Sequence, residues 1–200
     1  MATMKHLFLL IKPASGICNM RCKYCFYYDV MDHRKIESYG LMTDSVLEKM
    51  VQRAYDDHHE SVTFMFQGGE PTLVGLSFYQ KLIRFVEQYN IKNIQTYYTI
   101  QTNGTLITPE FARFFKTHQF LVGISIDGNQ RLHDMYRRDK QLQGSFSSVK
   151  KGLQLLQQHN VDFNILAVIT EETTKHTEEV YRFLSNLGTM FVQFIPCLDS

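Results

Sequence analysis

The sequence lacks several features that would place it quickly in a class of proteins. It carries 21 Lys and Arg against 20 Asp and Glu, a formal net charge of +1, so it lacks the basic excess typical of nucleic-acid-binding proteins. No apolar run approaches the roughly 20 residues that span a bilayer. The apolar segment 7–11 ends at Lys12 and Pro13, unlike the apolar region of a signal peptide. We therefore expect neither nucleic acid nor a membrane as a partner, and a cytoplasmic location.

Low-complexity segments and linker-like stretches are also missing from the chain. Its 200 residues are enough for one domain with a sizeable core. A content of 44% hydrophobic and 20% charged residues is ordinary for a globular protein. We therefore expect one domain over residues 1–200.

Cysteine is scarce, yet three of the four cysteines fall within eight residues. Cys18, Cys22 and Cys25 have the spacing C-x3-C-x2-C, whereas Cys197 lies near the other end. A disulfide framework is not expected, because there is no secretory signal and an odd set leaves a thiol unpaired. Zinc sites usually add a second, distant pair of Cys or His to a C-x2-C pair, and none follows here.

Buried apolar cysteines, half of a zinc site and redox-sensing thiols are the simple interpretations of this loop. The alternative is an iron–sulfur cluster, which cysteine thiolates hold. A [4Fe–4S] cluster takes four ligands, so three local thiolates would leave one iron open to another molecule. Cys197 would close that position, and we interpret it instead as a small residue after the last strand.

Apolar runs alternate with helical patterns along the whole chain. The predicted strands cover residues 6–11, 61–66, 95–100, 120–126, 162–169 and 190–195. Helices are predicted between them, for example after Thr43, Thr108 and Ser145. Residues 29–39 are predicted to form a loop, and so are residues 131–140 apart from Arg137. This alternation predicts parallel strands, in either an open partial barrel or a doubly wound sheet.

Four motifs follow the carboxyl ends of the first four predicted strands. They are the cysteine loop 18–25, the turn 68–71, Asn103-Gly104 and Asp127-Gly128. Ligands bind at that edge both in barrels and in open α/β sheets. We therefore expect these motifs to surround one site.

Taken together, the motifs resemble those of the radical SAM superfamily. The resemblance rests on the three cysteines with Tyr24 before the third, and on QGGEPTL at 67–73, QTNGTL at 101–106, SIDG at 125–128 and HDMYR at 133–137. Within the superfamily the sequence is similar to the anaerobic sulfatase-maturating enzymes. This resemblance implies an α/β fold, a partial (β/α)6 TIM-like barrel of parallel strands that is open on one side.

The resemblance also implies two cofactors, a [4Fe–4S] cluster and S-adenosylmethionine (SAM). Cys18, Cys22 and Cys25 would hold the cluster, and SAM would chelate its fourth iron. The implied SAM contacts are Tyr24, Gly68, Gly69, Glu70, Ser125, Arg137 and Leu198. Glycines expose the backbone to a ligand, and arginine can pair with a carboxylate through two hydrogen bonds. Each position also has a structural interpretation, as a turn, a packing aromatic or a strand end.

The implied activity is reductive cleavage of SAM, followed by removal of a hydrogen atom from a substrate. The family oxidises a cysteine or serine of a sulfatase to formylglycine, so a sulfatase or another peptide is the expected substrate and flavodoxin or ferredoxin the expected reductant. The alternatives are another peptide-modifying maturase, such as a thioether-forming enzyme, and a non-catalytic iron–sulfur scaffold or electron-transfer protein.

The family's C-terminal domain, with its auxiliary clusters and catalytic base, has no counterpart in residues 1–200. The resemblance implies that the base lies beyond Ser200, the last residue of the sequence. We therefore expect a fragment that contains the core but no catalytic base.

Overall fold

The computed structural model describes residues 5–56, 59–189 and 191–197. Its strands are β1 (His6–Ile11), β2 (Ser61–Phe66), β3 (Gln95–Thr102), β4 (Phe120–Ser125), β5 (Phe163–Ile169) and β6 (Val192–Pro196). All neighbouring pairs are parallel, and the order in the sheet is the order in the chain. The sheet curls into a half-barrel. The predicted partial barrel is confirmed, and the doubly wound alternative is wrong, because such a sheet reverses its strand order at a switch point.

Helices connect the strands and cover the convex face of the sheet. They are α1 (Phe26–Asp32), α2 (Asp44–Asp56), α3 (Leu76–Tyr89), α4 (Pro109–Thr117), α5 (Gln130–Tyr136), α6 (Phe146–Gln158), α7 (Glu171–Thr174) and α8 (Thr177–Ser185), with a 3-10 turn at Pro71–Val74. None of the helices in the described ranges has both the length and the apolar character needed to cross a bilayer.

The core lies between the sheet and these helices. Phe64 and Phe66 of β2 are at most 1% exposed. The rings of Phe66 and of Tyr79 on α3 form a T-shaped pair with centroids 5.2 Å apart. Tyr98 of β3 stacks on Phe120 of β4 at 4.9 Å. Burying one such side chain contributes about 1.5–3 kcal/mol, so this layer stabilises the scaffold that carries the strand ends.

The first strand differs from its prediction. Its apolar run predicts burial on both faces, but Phe8 and Leu10 are 66% and 58% exposed. β1 is an edge strand, and the helices cover only the face that carries Leu7, Leu9 and Ile11. In the register of the sheet, Phe8 shares a row with Tyr97, which is also exposed.

Two predicted loops contain helices. α1 enters the segment predicted as a loop from residue 29, and α5 replaces most of the loop predicted over 131–140. The side chain of Asn129 caps α5 by accepting a hydrogen bond from the Leu132 N–H. Leu132 and His133 are both 0% exposed, so α5 belongs to the packed structure. This helix determines where Arg137 lies, because Arg137 follows its last residue.

Candidate active site

A cavity of about 510 Å³ opens at the carboxyl edge of the sheet. All four predicted motifs contribute to this edge, and the cavity wall contains residues from the cysteine loop and from segments at the ends of all strands from β2 to β6. Of the residues predicted to form the site, Cys18, Cys22, Tyr24, Cys25, Gly68, Gly69, Ser125 and Arg137 line the cavity.

Three sequence-based predictions are not found among the described residues of this wall. Glu70 lies behind it. Leu198, predicted to contact SAM, lies outside the described residues. So does Ser200, beyond which the resemblance puts the catalytic base, and the absence of a base from residues 1–200 therefore stays a prediction.

A depression of similar volume, about 530 Å³, lies on the outside between α6 and α8. Helix side chains such as Phe146, Leu153 and Phe183 form its wall. It lacks the thiols and the glycine turn that converge at the sheet edge, so the candidate site is the cavity at the carboxyl ends of the strands.

Residues 20–23 of the cysteine loop run antiparallel to the end of α5 and the residues that follow it. The Arg21 N–H donates to the Arg138 carbonyl at 2.7 Å, and the Lys23 N–H donates to the Tyr136 carbonyl at 2.9 Å. Side chains of an extended segment alternate in direction. Arg21 and Lys23 are accordingly exposed, while Cys22 faces the cavity.

Burial changes the chemistry of the thiols. It raises the pKa of Cys18 to about 11 and that of Cys22 to about 12. The neighbouring thiol of Cys25 acts in the same direction on both, whereas the Arg137 charge opposes the shift at Cys22. The raised pKa values favour the protonated thiols of Cys18 and Cys22, so a metal that binds them must displace their protons.

The three thiols fit a cluster better than a single ion. Within the described ranges, no three His, Cys, Asp or Glu side chains are gathered closely enough to hold one metal ion. In an iron–sulfur cluster each thiolate binds a different iron, so the sulfurs stand further apart while still facing one space. Cys18, Cys22 and Cys25 all line the same cavity, as the ligands of one cluster must.

Gly68 and Gly69 form the turn that follows β2. Both adopt positive φ, +82° and +54°, a conformation that side chains disfavour. A Cβ on Gly69 would lie 2.2 Å from the Ile17 carbonyl oxygen. The Glu70 N–H donates to that oxygen at 2.8 Å. The glycine turn therefore lets the strand end approach the cysteine loop closely, and it presents backbone to the cavity.

The Glu70 carboxylate points into the protein. Its Oε1 accepts from the Thr72 N–H at 3.0 Å, from the Thr72 hydroxyl at 2.6 Å and from the Thr102 hydroxyl at 2.7 Å. Its Oε2 accepts from the Asn103 N–H at 2.7 Å. Burial raises the pKa of Glu70 above its usual range, and these hydrogen bonds oppose that shift. The Glu70 side chain is thus bonded within the protein, where it positions the β3 end.

Arg137 is already paired within the protein. Its Nε donates to Oδ2 of Asp127 at 2.8 Å and its NH2 group to Oδ1 at 3.0 Å. The Tyr24 hydroxyl also donates to Asp127, and the guanidinium lies 5.4 Å from the centre of the Tyr24 ring. Arg137 thus forms its bidentate pair with Asp127, although the sequence predicted such a pair with the SAM carboxylate. The other guanidinium N–H groups are left for a ligand.

Asn103 and Asp127 belong to motifs that were expected at the site, but the sequence predicted no role for either side chain. The Asp127 carboxylate joins Tyr24, Arg137 and the Val168 N–H, and Asn103 lines the cavity. A polar residue before glycine at a strand end was the available signal. The same pattern is ordinary for a turn, so only the tertiary structure separates the two roles.

Ser125 and Cys197 complete the described wall. Ser125 is the last residue of β4 and pairs in register with Leu166 of β5. Cys197 follows β6, and its N–H donates to the Ile169 carbonyl at 2.9 Å. Its place after the last strand agrees with its prediction, and its thiol borders the same cavity as the other three.

Comparison with known proteins adds independent findings. The family model described as "Radical SAM superfamily" matches residues 13–184. The cysteine-type anaerobic sulfatase-maturating enzyme of Clostridium novyi (strain NT) is 49% identical over 98% of this chain and 52% of its own length. The serine-type enzyme of Klebsiella aerogenes is 37% identical over 96% of this chain and 47% of its own. The chain therefore spans about half the length of these relatives.

Solved structures agree with the sequence comparisons. A structure described as native anSMEcpe with bound AdoMet (SAM) superposes with a TM-score of 0.92 and 45% identity, over 96% of this chain and 53% of that one. Streptococcus suis SuiB bound to SAM shares the fold at a TM-score of 0.65 and 19% identity, over 98% of this chain and 40% of that one. With its half-barrel, its cysteine loop and a family match over most of its length, the chain belongs to the radical SAM superfamily.

Proposed function

We propose that this chain is the cluster- and SAM-binding core of an anaerobic sulfatase-maturating enzyme. The observation that carries the proposal is the convergence of Cys18, Cys22 and Cys25 with a glycine turn and a buried arginine on one cavity. The similarity to the sulfatase-maturating relatives supports it, because it extends over 96–98% of the chain.

The residues of the cavity divide into two groups. Cys18, Cys22 and Cys25 would hold a [4Fe–4S] cluster, and the remaining wall would hold SAM. The predicted SAM contacts are Tyr24, Gly68, Gly69, Glu70, Ser125, Arg137 and Leu198. When bound, the reduced cluster would supply one electron to cleave the S–C5′ bond of SAM, which would give methionine and a 5′-deoxyadenosyl radical for hydrogen abstraction.

The chain's own residues bind, orient and exclude water. Arg137 offers its remaining N–H donors to a carboxylate, and its pairing with Asp127 fixes the guanidinium plane before a ligand arrives. The apolar part of the cavity wall includes Val168, Ile195 and Phe26. A dry, low-dielectric wall strengthens these charge interactions and protects a reactive intermediate from water.

The proposed substrate of the full-length protein is a cysteine of a sulfatase, oxidised to formylglycine. The relatives at 44–49% identity are cysteine-type enzymes, whereas those at 34–37% are serine-type. Structures described as anSMEcpe with bound Kp18Cys and Cp18Cys peptides superpose with a TM-score of 0.91. A small electron carrier such as flavodoxin or ferredoxin is the proposed reductant. The reduced thiols suit a cytoplasmic location, which we also propose.

Product analysis tests the core activity directly. After anaerobic reconstitution with iron and sulfide, dithionite and SAM should yield 5′-deoxyadenosine from the wild-type chain. Cys22→Ala should lose both the iron and the product, because it removes a cluster ligand. Cys197→Ala is the matched control and should keep its iron content and visible spectrum.

Two results would contradict the proposal. An intact cluster that forms no 5′-deoxyadenosine would indicate an electron-transfer or scaffold protein. Equal loss of iron in the Cys22 and Cys197 variants would show four protein ligands and no open iron. In the full-length protein, peptides that differ only in Cys or Ser at the modified position would then test the substrate by mass spectrometry.

A further inference from the structure

The side chain of Asn103 lies against a cysteine of the proposed cluster loop. Asn103 follows β3 and is 8% exposed. Its Nδ2 atom is 3.6 Å from Cys18 Sγ, within hydrogen-bond range for a sulfur acceptor. A second donor, the Met20 N–H, reaches the same sulfur at 3.3 Å. Cys18 Sγ therefore has two N–H groups directed at it.

The surroundings of the amide determine which of its ends faces the sulfur. Oδ1 of Asn103 accepts from the Thr105 N–H at 2.9 Å and from the Thr105 hydroxyl at 2.7 Å. A backbone N–H can only donate, so the oxygen end must face Thr105 and the NH₂ end must face Cys18. The other N–H of Nδ2 donates to Oδ1 of Asn19 at 2.9 Å.

The ring of hydrogen bonds closes through Asn19. Its Nδ2 donates to the Thr105 hydroxyl oxygen at 2.8 Å, which leaves that hydroxyl's one hydrogen for Asn103. Every donor and acceptor of the Asn103 amide thus has a partner. A fully satisfied polar network of this kind is rigid.

The backbone of Asn103 is fixed from the opposite side. Its N–H donates to the fully buried Glu70 carboxylate, which also accepts from the Thr102 hydroxyl. The next residue, Gly104, turns with a φ of +76°, and a Cβ there would lie 2.7 Å from Ile124 Cδ1. The chain can therefore hold the amide in place before any cofactor binds.

We propose that Asn103 is a positioning residue that tunes the cluster by donating a hydrogen bond to the Cys18 thiolate. The proposal rests on the proposed function, because it requires a cluster at Cys18. Hydrogen bonds to ligand sulfur withdraw negative charge and favour the reduced, more negative state of a cluster. Asn103 thus makes the cluster easier to reduce. Its contacts with Glu70 and Thr105 hold the amide N–H in the direction of the Cys18 sulfur.

The test measures the midpoint potential of the cluster by anaerobic redox titration monitored by electron paramagnetic resonance, without SAM. Asn103→Leu removes the donor at similar size and should shift the midpoint to a more negative value. Asn103→Asp keeps an oxygen for Thr105 but replaces the donor with a negative charge, so its shift should be larger. Asn90→Leu removes an amide at the other end of β3, where it bonds the Ile94 backbone, and should leave the midpoint unchanged.

The iron content of each variant is measured beside the potential. Wild-type midpoints in both Asn103 variants at full iron content would overturn the inference. Loss of iron from both variants, with folding intact and the Asn90 control loaded, would also overturn it, because Asn103 would then be needed for assembly rather than tuning. A wild-type chain that assembles no cluster would instead refute the proposed function.

Discussion

At the scale of single residues, Asp127 connects the parts of the site. It is 1% exposed, and its carboxylate receives donors from the cysteine loop, from β5 and from Arg137 after α5. A buried ion pair gains little over an apolar pair, but removal of one partner strands a charge. The main effect of removing Asp127 should therefore be to leave the buried charge of Arg137 without a partner.

Asp127→Ala should lower the free energy of unfolding by about 3–5 kcal/mol, because it leaves the Arg137 guanidinium buried without its counter-charge. Urea denaturation of the cluster-free protein measures the loss. Adding Arg137→Met in the same chain removes the stranded charge and should recover part of that stability. A double variant no more stable than Asp127→Ala would show that the ion pair is not the cause.

Gly69 supports a second prediction at this scale. A Cβ there would meet backbone at 2.2 Å, whereas a Cβ on Gly40, also at positive φ, would have no atom within 4 Å. Both alanine variants bear the strain of a left-handed conformation, about 1–2 kcal/mol. Gly69→Ala should cost about 1–3 kcal/mol more than Gly40→Ala, as measured by denaturant unfolding. Equal costs would mean that the close approach to the cysteine loop is unimportant for stability.

At the scale of elements, α5 carries a buried histidine next to the segment that positions Arg137. Its residue His133 is 0% exposed, and burial lowers its pKa from 6.5 to about 3. The Arg137 charge acts in the same direction and Asp127 opposes it. The ring Nε2 is 3.0 Å from the Ser145 hydroxyl, which donates to the Arg137 carbonyl at 2.9 Å. His133 therefore supports the backbone at Arg137 while it is neutral.

A histidine with a depressed pKa contributes stability above the unfolded-state pKa of 6.5, and this stability is lost as pH falls toward about 3. His133→Gln cannot titrate but keeps an N–H for Ser145. Between pH 6.5 and 4, the wild-type free energy of unfolding should fall more steeply than that of the variant, by up to about 1.4 kcal/mol per pH unit. Parallel pH profiles would contradict a buried neutral histidine.

Strands and helix starts could be predicted from the sequence wherever a local pattern marks them. Six strands could be predicted because each is an apolar or β-rich run between turns, and the helix start at Thr108 because its side chain caps the first turn. The exposed face of β1 could not be predicted, because the run 7–11 is apolar on both faces and only the sheet's surroundings choose between them. α5 is too short to show a clear period.

The sequence predicts which residues form the site, but not which way their side chains point or which partners they have. The cysteine spacing and the glycine pair are local patterns that can be recognised in the sequence. Eight of the predicted site residues line one cavity. The inward turn of the Glu70 side chain and the pairing of Arg137 with Asp127 depend on contacts between residues far apart in sequence. Such partners leave no local pattern.

At the scale of the whole molecule, the half-barrel places its strand ends around one cavity and its helices on one face. The position of the site thus follows from the parallel β/α order, since every strand delivers its carboxyl end to the same edge. The glycine turn, Ser125 and Asp127 lie at strand ends, whereas Arg137 follows α5. These elements hold in place the side chains that would orient a flexible ligand.

The central claim is a cluster with three protein ligands and one iron open to SAM. Mössbauer spectroscopy of protein reconstituted with isotopically enriched iron tests it most directly, before and after addition of SAM. One iron of the cluster should become distinct from the other three when SAM binds. Four irons that stay alike, with a spectrum unchanged by SAM, would contradict it.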